Sequence, residues 1–351
     1  MIRILMCSSS LKVKGGMVSV VKNYLSYPHL RKNVKIVHVP THIEANKYIQ
    51  ILYFAISYAH ILWLALWRKI DIAHLHVAER GSFYRKAFIL QTLKCFKIKV
   101  ILHHHGAEFE LFYNKLSNKK KLYVNKILQE ADLNIVLSQS LVRMIKDKSP
   151  KAKVEVLYNA VNVPQTNPYS LKAHNILFLG RLGKRKGTYD LLQAIKQIDQ
   201  NLSTNVQFYL CGDGEVEEIR DTVNKMGISH RIAHIGWIDG EQKKMFISQS
   251  MINVLPSYNE GLPMTILETM AYGIPNISTS IASIPEVLHD AENGFLIIPG
   301  DVNTLCARLL QLSADVDMRK KFSQESYNLI KDSFSLDANI KKLYDIYTKI
   351  I

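Results

Sequence analysis

Cysteine is scarce and unclustered in this chain. Cys7, Cys95, Cys211 and Cys306 are scattered through 351 residues with no Cys-x-x-Cys pair. That argues against a zinc ligand set or a disulfide framework and for a reducing compartment, the cytosol. The opening Met-Ile-Arg-Ile-Leu-Met-Cys lacks a charged start, a long apolar stretch and a cleavage site, so it reads as a first β-strand rather than a signal peptide. No helix-turn-helix, RNP-type aromatic motif or zinc-finger spacing is found, which argues against nucleic acid as a partner.

Acidic residues are short in one half only. Residues 1–170 hold 9 Asp and Glu against 26 Lys and Arg, a net charge of +17, whereas residues 171–351 hold 21 against 19, a net −2. The basic character therefore belongs to the N-terminal half, where it suits nucleic acid, an anionic membrane surface or acidic substrates. Arg85-Lys86, Lys94 with Lys97 and Lys99, and Lys119-Lys120-Lys121 are the clusters an anionic leaflet would attract. Plain solubility explains them as well.

Long apolar runs are absent except for one. Ile49–Trp67 is 19 residues broken only by Gln50, Ser57 and His60, just enough to span a hydrocarbon core of about 30 Å. A next strand follows at once, and the favoured reading is a helix packed in an N-terminal domain. Insertion of an aromatic face into a membrane interface is the alternative. A spanning helix is least favoured, because it would separate Ile2–Met6 and Ile36–Val39 from the rest of their sheet.

Short apolar runs alternate with helical periodicity along the whole chain. Strands are expected at Ile2–Met6, Lys35–Val39, Ile72–His76, Val100–His104, Leu133–Leu137 and Lys153–Leu157. A second set is expected at Ile176–Leu179, Val206–Cys211, Ile232–Ile235, Met251–Leu255, Pro275–Ser278 and Gly294–Ile297. The pattern predicts an α/β protein of two Rossmann-like, doubly wound domains, 1–164 and 170–335. Pro164 and Pro168 break the linker, Val161–Leu171. Leu336–Ile351 is an amphipathic helix.

Two turns carry the chemistry. In residues 259–275, Glu260 and Glu268 are separated by seven residues, with Gly261, Leu262 and Pro263 between them. The spacing of Met264, Leu267 and Met270 starts a helix near Pro263 and puts Glu268 on its second turn. Backbone N–H groups at such a helix start suit a phosphate. An ordinary loop–helix junction with two solvated acids fits the spacing equally. In residues 176–195 a strand ends at Gly180, a helix follows, and Arg181, Lys184, Arg185 and Lys186 lie between. Cations in such a turn can hold an anion, or they can form a solvated basic loop.

These segments together resemble the retaining glycosyltransferases of family four, which have the GT-B fold. The Glu-x7-Glu segment matches, as do Gly-Arg-Leu-x3-Lys-Gly at 180–187, Cys211-Gly-Asp-Gly-Glu215, and Leu157-Tyr-Asn-Ala-Val-Asn162 before the linker. The motifs occur in family order over almost the whole chain. They are specific for the family and not for the substrate.

The resemblance implies two domains facing a central cleft, with the terminal helix 336–351 packing back on the first. It implies a hexosyltransferase-type enzyme that moves a sugar from a nucleotide-diphosphate sugar, UDP favoured and GDP possible, to a saccharide acceptor. Capsule or O-antigen assembly, with a lipid-diphosphate-linked acceptor and peripheral attachment to the inner membrane face, is the expected setting. Arg181 and Lys186 would hold the diphosphate, Glu268 the ribose and Glu260 the sugar, while the backbone of Gly261, Leu262 and Pro263 would touch sugar or phosphate. Trp237 and Ile238 are candidates for the base. Gly15 and Gly16 would contact pyrophosphate or acceptor, and His105, at the end of the fourth strand, would position the sugar.

No cofactor and no metal are expected. The sole Asp-x-Asp, Asp315-Val-Asp317, falls in a C-terminal helical stretch far from the strand ends. His103, His104 and His105 are successive in a strand and alternate sides, so they are not expected to converge on one ion. Two rival readings remain open. A nucleotide-sugar epimerase of the same architecture would use the same anion clamp, and a non-catalytic nucleic-acid-binding protein would explain the charge.

Overall fold

The computed structural model describes every residue except Lys14 and Ala107, and every side chain among those except His29 and Arg31. It divides into two compact units, Met1–Asn159 with Leu336–Ile351, and Ala160–Ser335. The division falls at Asn159/Ala160, so the segment read as a linker, Val161–Leu171, is counted with the second unit. Val161 is tied there by a parallel bridge to Ser335.

The first unit runs β1 (Ile2–Ser8), α1 (Gly16–Ser26), α2 (Pro28–Asn33), β2 (Val34–Pro40), α3 (Lys47–Leu66), β3 (Ile72–Val77), α4 (Gly81–Cys95), β4 (Lys99–His104), α5 (Phe109–Asn114), α6 (Asn118–Glu130), β5 (Leu133–Val136), α7 (Gln139–Lys148) and β6 (Val154–Val156). Its sheet has the order β2-β1-β3-β4-β5-β6 and every pairing is parallel. Parallel strands buried on both faces need continuous apolar runs, and Ile4–Cys7, Val100–Leu102 and Ile135–Val136 supply them.

The second unit runs β7 (Asn175–Leu179), α8 (Thr188–Ile198), β8 (Gln207–Cys211), α9 (Val216–Met226), β9 (Ile232–Gly236), α10 (Gly240–Ser248), β10 (Ser250–Leu255), α11 (Met264–Ala271), β11 (Asn276–Thr279), β12 (Gly294–Ile297), α12 (Val302–Ala314) and α13 (Val316–Ser333). Its order is β12-β11-β10-β7-β8-β9, again all parallel. The final helix, α14 (Leu336–Ile350), belongs to the first unit, and its Tyr347 hydroxyl lies 2.6 Å from His74 Nδ1 on β3. Each of the twelve strands among the described residues lies within two residues of its expected bounds, because apolar runs between turns mark buried parallel strands without ambiguity here.

Helix α3 packs on the core of the first unit through one face only. Ser57, Ile61, Leu64 and Ala65 form a narrow buried face, but most of the large apolar side chains on the helix are exposed. The run is apolar all round, so periodicity gave no hint of which side would be covered.

Candidate active site

In a doubly wound sheet, ligands bind outside the carboxyl ends of the strands where the strand order reverses. In the second unit that point lies between β7 and β10, which are neighbours although three strands apart in sequence. The turn after β7 carries Arg181 to Lys186, and the turn after β10 carries Ser257 to Glu260. The topology therefore brings the two chemistry-bearing turns together.

They touch at several points. Lys186 Nζ forms an ion pair with Glu260 Oε1. Ser257 Oγ donates to the same oxygen at 2.7 Å. Tyr258 N donates to Arg185 O at 2.9 Å, and Arg185 Nη1 donates to Asn259 O at 3.3 Å. The pair is mostly out of water, with 13% of the Lys186 side chain and 6% of the Glu260 side chain exposed. Burial lowers the Lys186 pKa below the ordinary lysine value, and the neighbouring carboxylate opposes only part of that effect.

Glycine allows the close approach. Gly187 has φ +69°, and a Cβ there would lie 2.0 Å from Pro256 O, so any side chain would push the β7 turn away from the β10 turn. Gly214, in the turn after β8, has φ +110°, and a Cβ there would meet Leu182 O at 2.3 Å and Arg181 Cγ at 2.9 Å. Arg181 itself is exposed beside this turn.

Pro263 is the N-cap of α11, and no side chain caps that helix start. Its leading N–H groups have no partner within the helix, an arrangement that suits an anion. Leu262 and Pro263 are buried and Gly261 is half-buried. Glu268 sits on the second turn of α11, its Oε2 2.5 Å from Lys243 Nζ on α10. Trp237 is exposed, whereas Ile238 is buried. Its side chain is buried in an apolar cluster with Leu177, Leu179, Cys211, Ile247 and Ile274.

In the first unit the order reverses between β1 and β3. Gly15, with φ +141°, caps α1 after β1, and a Cβ there would meet nothing within 4 Å. Gly16 opens the helix. His105 follows β4, and its Nε2 lies 2.8 Å from His76 Nδ1.

That contact belongs to a constellation missed in the sequence. His103 and His105 share one face of β4 while His104 points away, 3.0 Å from Asn134 Oδ1, so alternation holds within the strand. The neighbouring strand supplies His74 and His76 on the same face, because His76 is in register with His103. Four imidazoles cluster, with centroids 4.5 Å apart for the stacked pair His74–His76 and 4.2 Å for the tilted pair His103–His105. One ligand atom each from His74, His76 and His103 lies within 4.8 Å of the others. His74 Nε2 lies 3.0 Å from His103 Nδ1, which leaves His76 Nε2 and His103 Nε2 as the buried nitrogens without a hydrogen-bond partner. His74 with His103, and His76 with His105, are joined by hydrogen bonds within this cluster. Burial drives all four pKa values down, to about 3 for His74 and His105.

Two family models match in tandem, Glycosyltransferase Family 4 at residues 7–165 and Glycosyl transferases group 1 at residues 164–329. The chain belongs to glycosyltransferase family 4. A protein of unknown activity from the cps region of Klebsiella pneumoniae is 29% identical over 250 residues, 68% of each chain. The UDP-Gal:alpha-D-GlcNAc-diphosphoundecaprenol alpha-1,3-galactosyltransferase of Escherichia coli is 26% identical over 311 residues, 81% of this chain and 76% of that one. Among solved structures, sucrose-phosphate synthase from Thermosynechococcus elongatus superposes with a TM-score of 0.81 at 17% identity, over 100% of this chain and 99% of the other. Anabaena HepE in complex with UDP superposes with a TM-score of 0.76 at 14% identity, over 99% and 100%. The fold is GT-B.

Proposed function

We propose that this glycosyltransferase takes a sugar from a UDP-sugar and passes it, with retention at the anomeric carbon and without a metal ion, to a lipid-diphosphate-linked saccharide at the inner face of the cell membrane. The observation that carries the donor site is the buried Lys186–Glu260 pair at the β7/β10 switch point, beside the uncapped start of α11. UDP is favoured by the fold relative solved with it and by the UDP-Gal donor in the name of the Escherichia coli relative, whose name also supplies the lipid-linked acceptor.

In this reading Arg181 and Lys186 bind the diphosphate and offset the charge that develops as it leaves, a preorganised electrostatic contribution. Both contacts to Glu260 fall on Oε1, and Oε2 orients the sugar hydroxyls while the carboxylate stabilises positive charge at the anomeric carbon. Glu268 holds the ribose, Trp237 and the Ile238 backbone meet the base, and the Gly261–Pro263 backbone meets sugar or phosphate. The bond from the anomeric carbon to the phosphate oxygen breaks, a bond to the acceptor oxygen forms on the same face, and the acceptor proton passes to the leaving phosphate. Gly15, Gly16 and His105 in the first unit serve the acceptor side, with His105 neutral because of its lowered pKa.

Thermal unfolding with UDP, GDP, ADP, CMP and dTDP, with and without Mg²⁺, tests the reading. A diphosphate at about 100 times its dissociation constant adds about 2.7 kcal/mol of stability. Stabilisation by UDP that is independent of Mg²⁺ is expected. Absence of any nucleotide effect would overturn the donor site.

A further inference from the structure

An exposed apolar surface lies on α3. From Tyr48 to Trp67, side chains at helical spacing, Tyr48, Leu52, Ile56, Trp63 and Trp67, form one exposed stripe. Leu52 and Ile56 are each 63% exposed and Trp67 is 66% exposed. The 20-residue helix has mean hydropathy of 1.7 over its most apolar window, yet only 22% of that window is buried, whereas a core helix of that composition is covered. Exposed apolar area on this scale marks an interaction site.

Helix α3 adjoins α4. Half-buried Tyr58 lies against Phe88 of α4 with ring centroids 4.8 Å apart, and its hydroxyl lies 2.8 Å from Thr92 Oγ1. Tyr123 of α6 donates to Gln91 of α4 at 3.2 Å. Phe88 and Leu122 are themselves exposed. Thus α3, α4 and α6 make one face, and the exposed Lys119 and Lys120 stand at its α6 end.

Charge selects the occupant. The first unit holds 29 Lys and Arg against 11 Asp and Glu. No acidic residue occurs from Ala45 to Ile70, and Lys47, Arg68 and Lys69 stand at the ends of the run. Lys69 Nζ lies over the Trp63 ring, 4.2 Å from its centroid. Trp and Lys at the end of an apolar face suit the boundary between headgroups and acyl chains. A second copy of this surface would bring like charges together, whereas an anionic bilayer would meet opposite charge.

We propose that the α3 face, with Phe88, Leu122 and the α6 lysines, docks this enzyme on an anionic lipid surface, with α3 lying in the interface plane. The helix does not span, because β2 before it and β3 after it both pair with β1 and must stay on one side. This deepens, and for its biological sense rests on, the lipid-linked acceptor proposed above.

The test is co-sedimentation of the full chain with vesicles of phosphatidylcholine alone or with a quarter phosphatidylglycerol. L52E/I56E and K119Q/K120Q/K121Q are compared with the unmodified chain, with thermal unfolding and UDP binding as checks on the fold. The unmodified chain should bind the phosphatidylglycerol vesicles, more weakly in high salt, and each variant should lose at least about tenfold in binding with UDP binding intact. The proposal falls if the unmodified chain ignores these vesicles, if L52E/I56E binds them undiminished, or if the face instead mediates a dimer that L52E/I56E dissolves. UDP binding and transfer to a soluble acceptor report separately on the donor and acceptor reading.

Discussion

Lys186 and Glu260 stand 74 positions apart in sequence and form a buried ion pair between the turns that follow β7 and β10. Ser257 Oγ supplies a further hydrogen bond to the carboxylate at 2.7 Å. Removing one member of such a pair leaves the other as an uncompensated buried charge, at a cost of about 3–5 kcal/mol. Lys186→Met should therefore lower the unfolding midpoint in denaturant, and Lys186→Met combined with Glu260→Gln should recover most of the loss. A double variant as unstable as the sum of the two single variants would show that the charges do not act as a pair.

The pair separates the two halves of the proposed donor. Lys186→Ala should weaken binding of UDP itself by roughly 10- to 100-fold, the scale of a hydrogen bond to a charged group of about 1.5–3 kcal/mol. Glu260→Gln should leave UDP binding near normal and reduce transfer from the UDP-sugar by roughly 10²–10³-fold, the scale of losing one preorganised electrostatic contact. Calorimetric titration with UDP and a transfer assay read these separately. Near-normal transfer by the Glu260 variant would remove the role assigned to that carboxylate.

Burial lowers the pKa of Lys186 from its ordinary 10.5. The cationic form is the one that holds phosphate, so donor affinity should decline as pH rises and the decline should begin below 10.5. Arginine keeps its charge over the accessible range. Lys186→Arg should therefore flatten the alkaline decline even if its absolute affinity is lower. Titration of UDP between neutral and alkaline pH checks this, and identical profiles for the two proteins would assign the decline elsewhere.

The strands and the two turns that meet at the β7/β10 switch point were legible because each depends on local pattern: an apolar run ending at Gly180, cations after it, and a proline at a helix start beside Glu260. Their meeting follows from strand order, since β7 and β10 are adjacent in any sheet that reverses there. The histidine cluster was not legible, because it depends on the register that sets His76 beside His103. Reading His103, His104 and His105 along one strand showed that they diverge and hid the partners across the ladder. The burial of Ile238 and the exposure of α3 escaped for a related reason. Apolar composition gives the tendency to be covered, while the surrounding elements decide which atoms are.

The lowered histidine pKa values make stability depend on acid in a defined window. Unfolded histidine has a pKa of about 6.5, whereas burial brings His104 to about 4 and His74 and His105 to about 3. Between those values the unfolded chain binds protons that the folded chain excludes. These groups therefore favour folding fully above about pH 6.5, and that contribution is lost as pH falls toward 3 or 4. Each adds up to about 1.4 kcal/mol per pH unit to the slope. His104→Gln can keep a donor toward Asn134 Oδ1 but cannot take up a proton. Urea unfolding from pH 7 down to about pH 5 should show a shallower loss of stability for this variant, by close to one proton's worth of slope. Equal slopes would mean that His104 is protonated in the folded chain, and that its environment does not exclude charge.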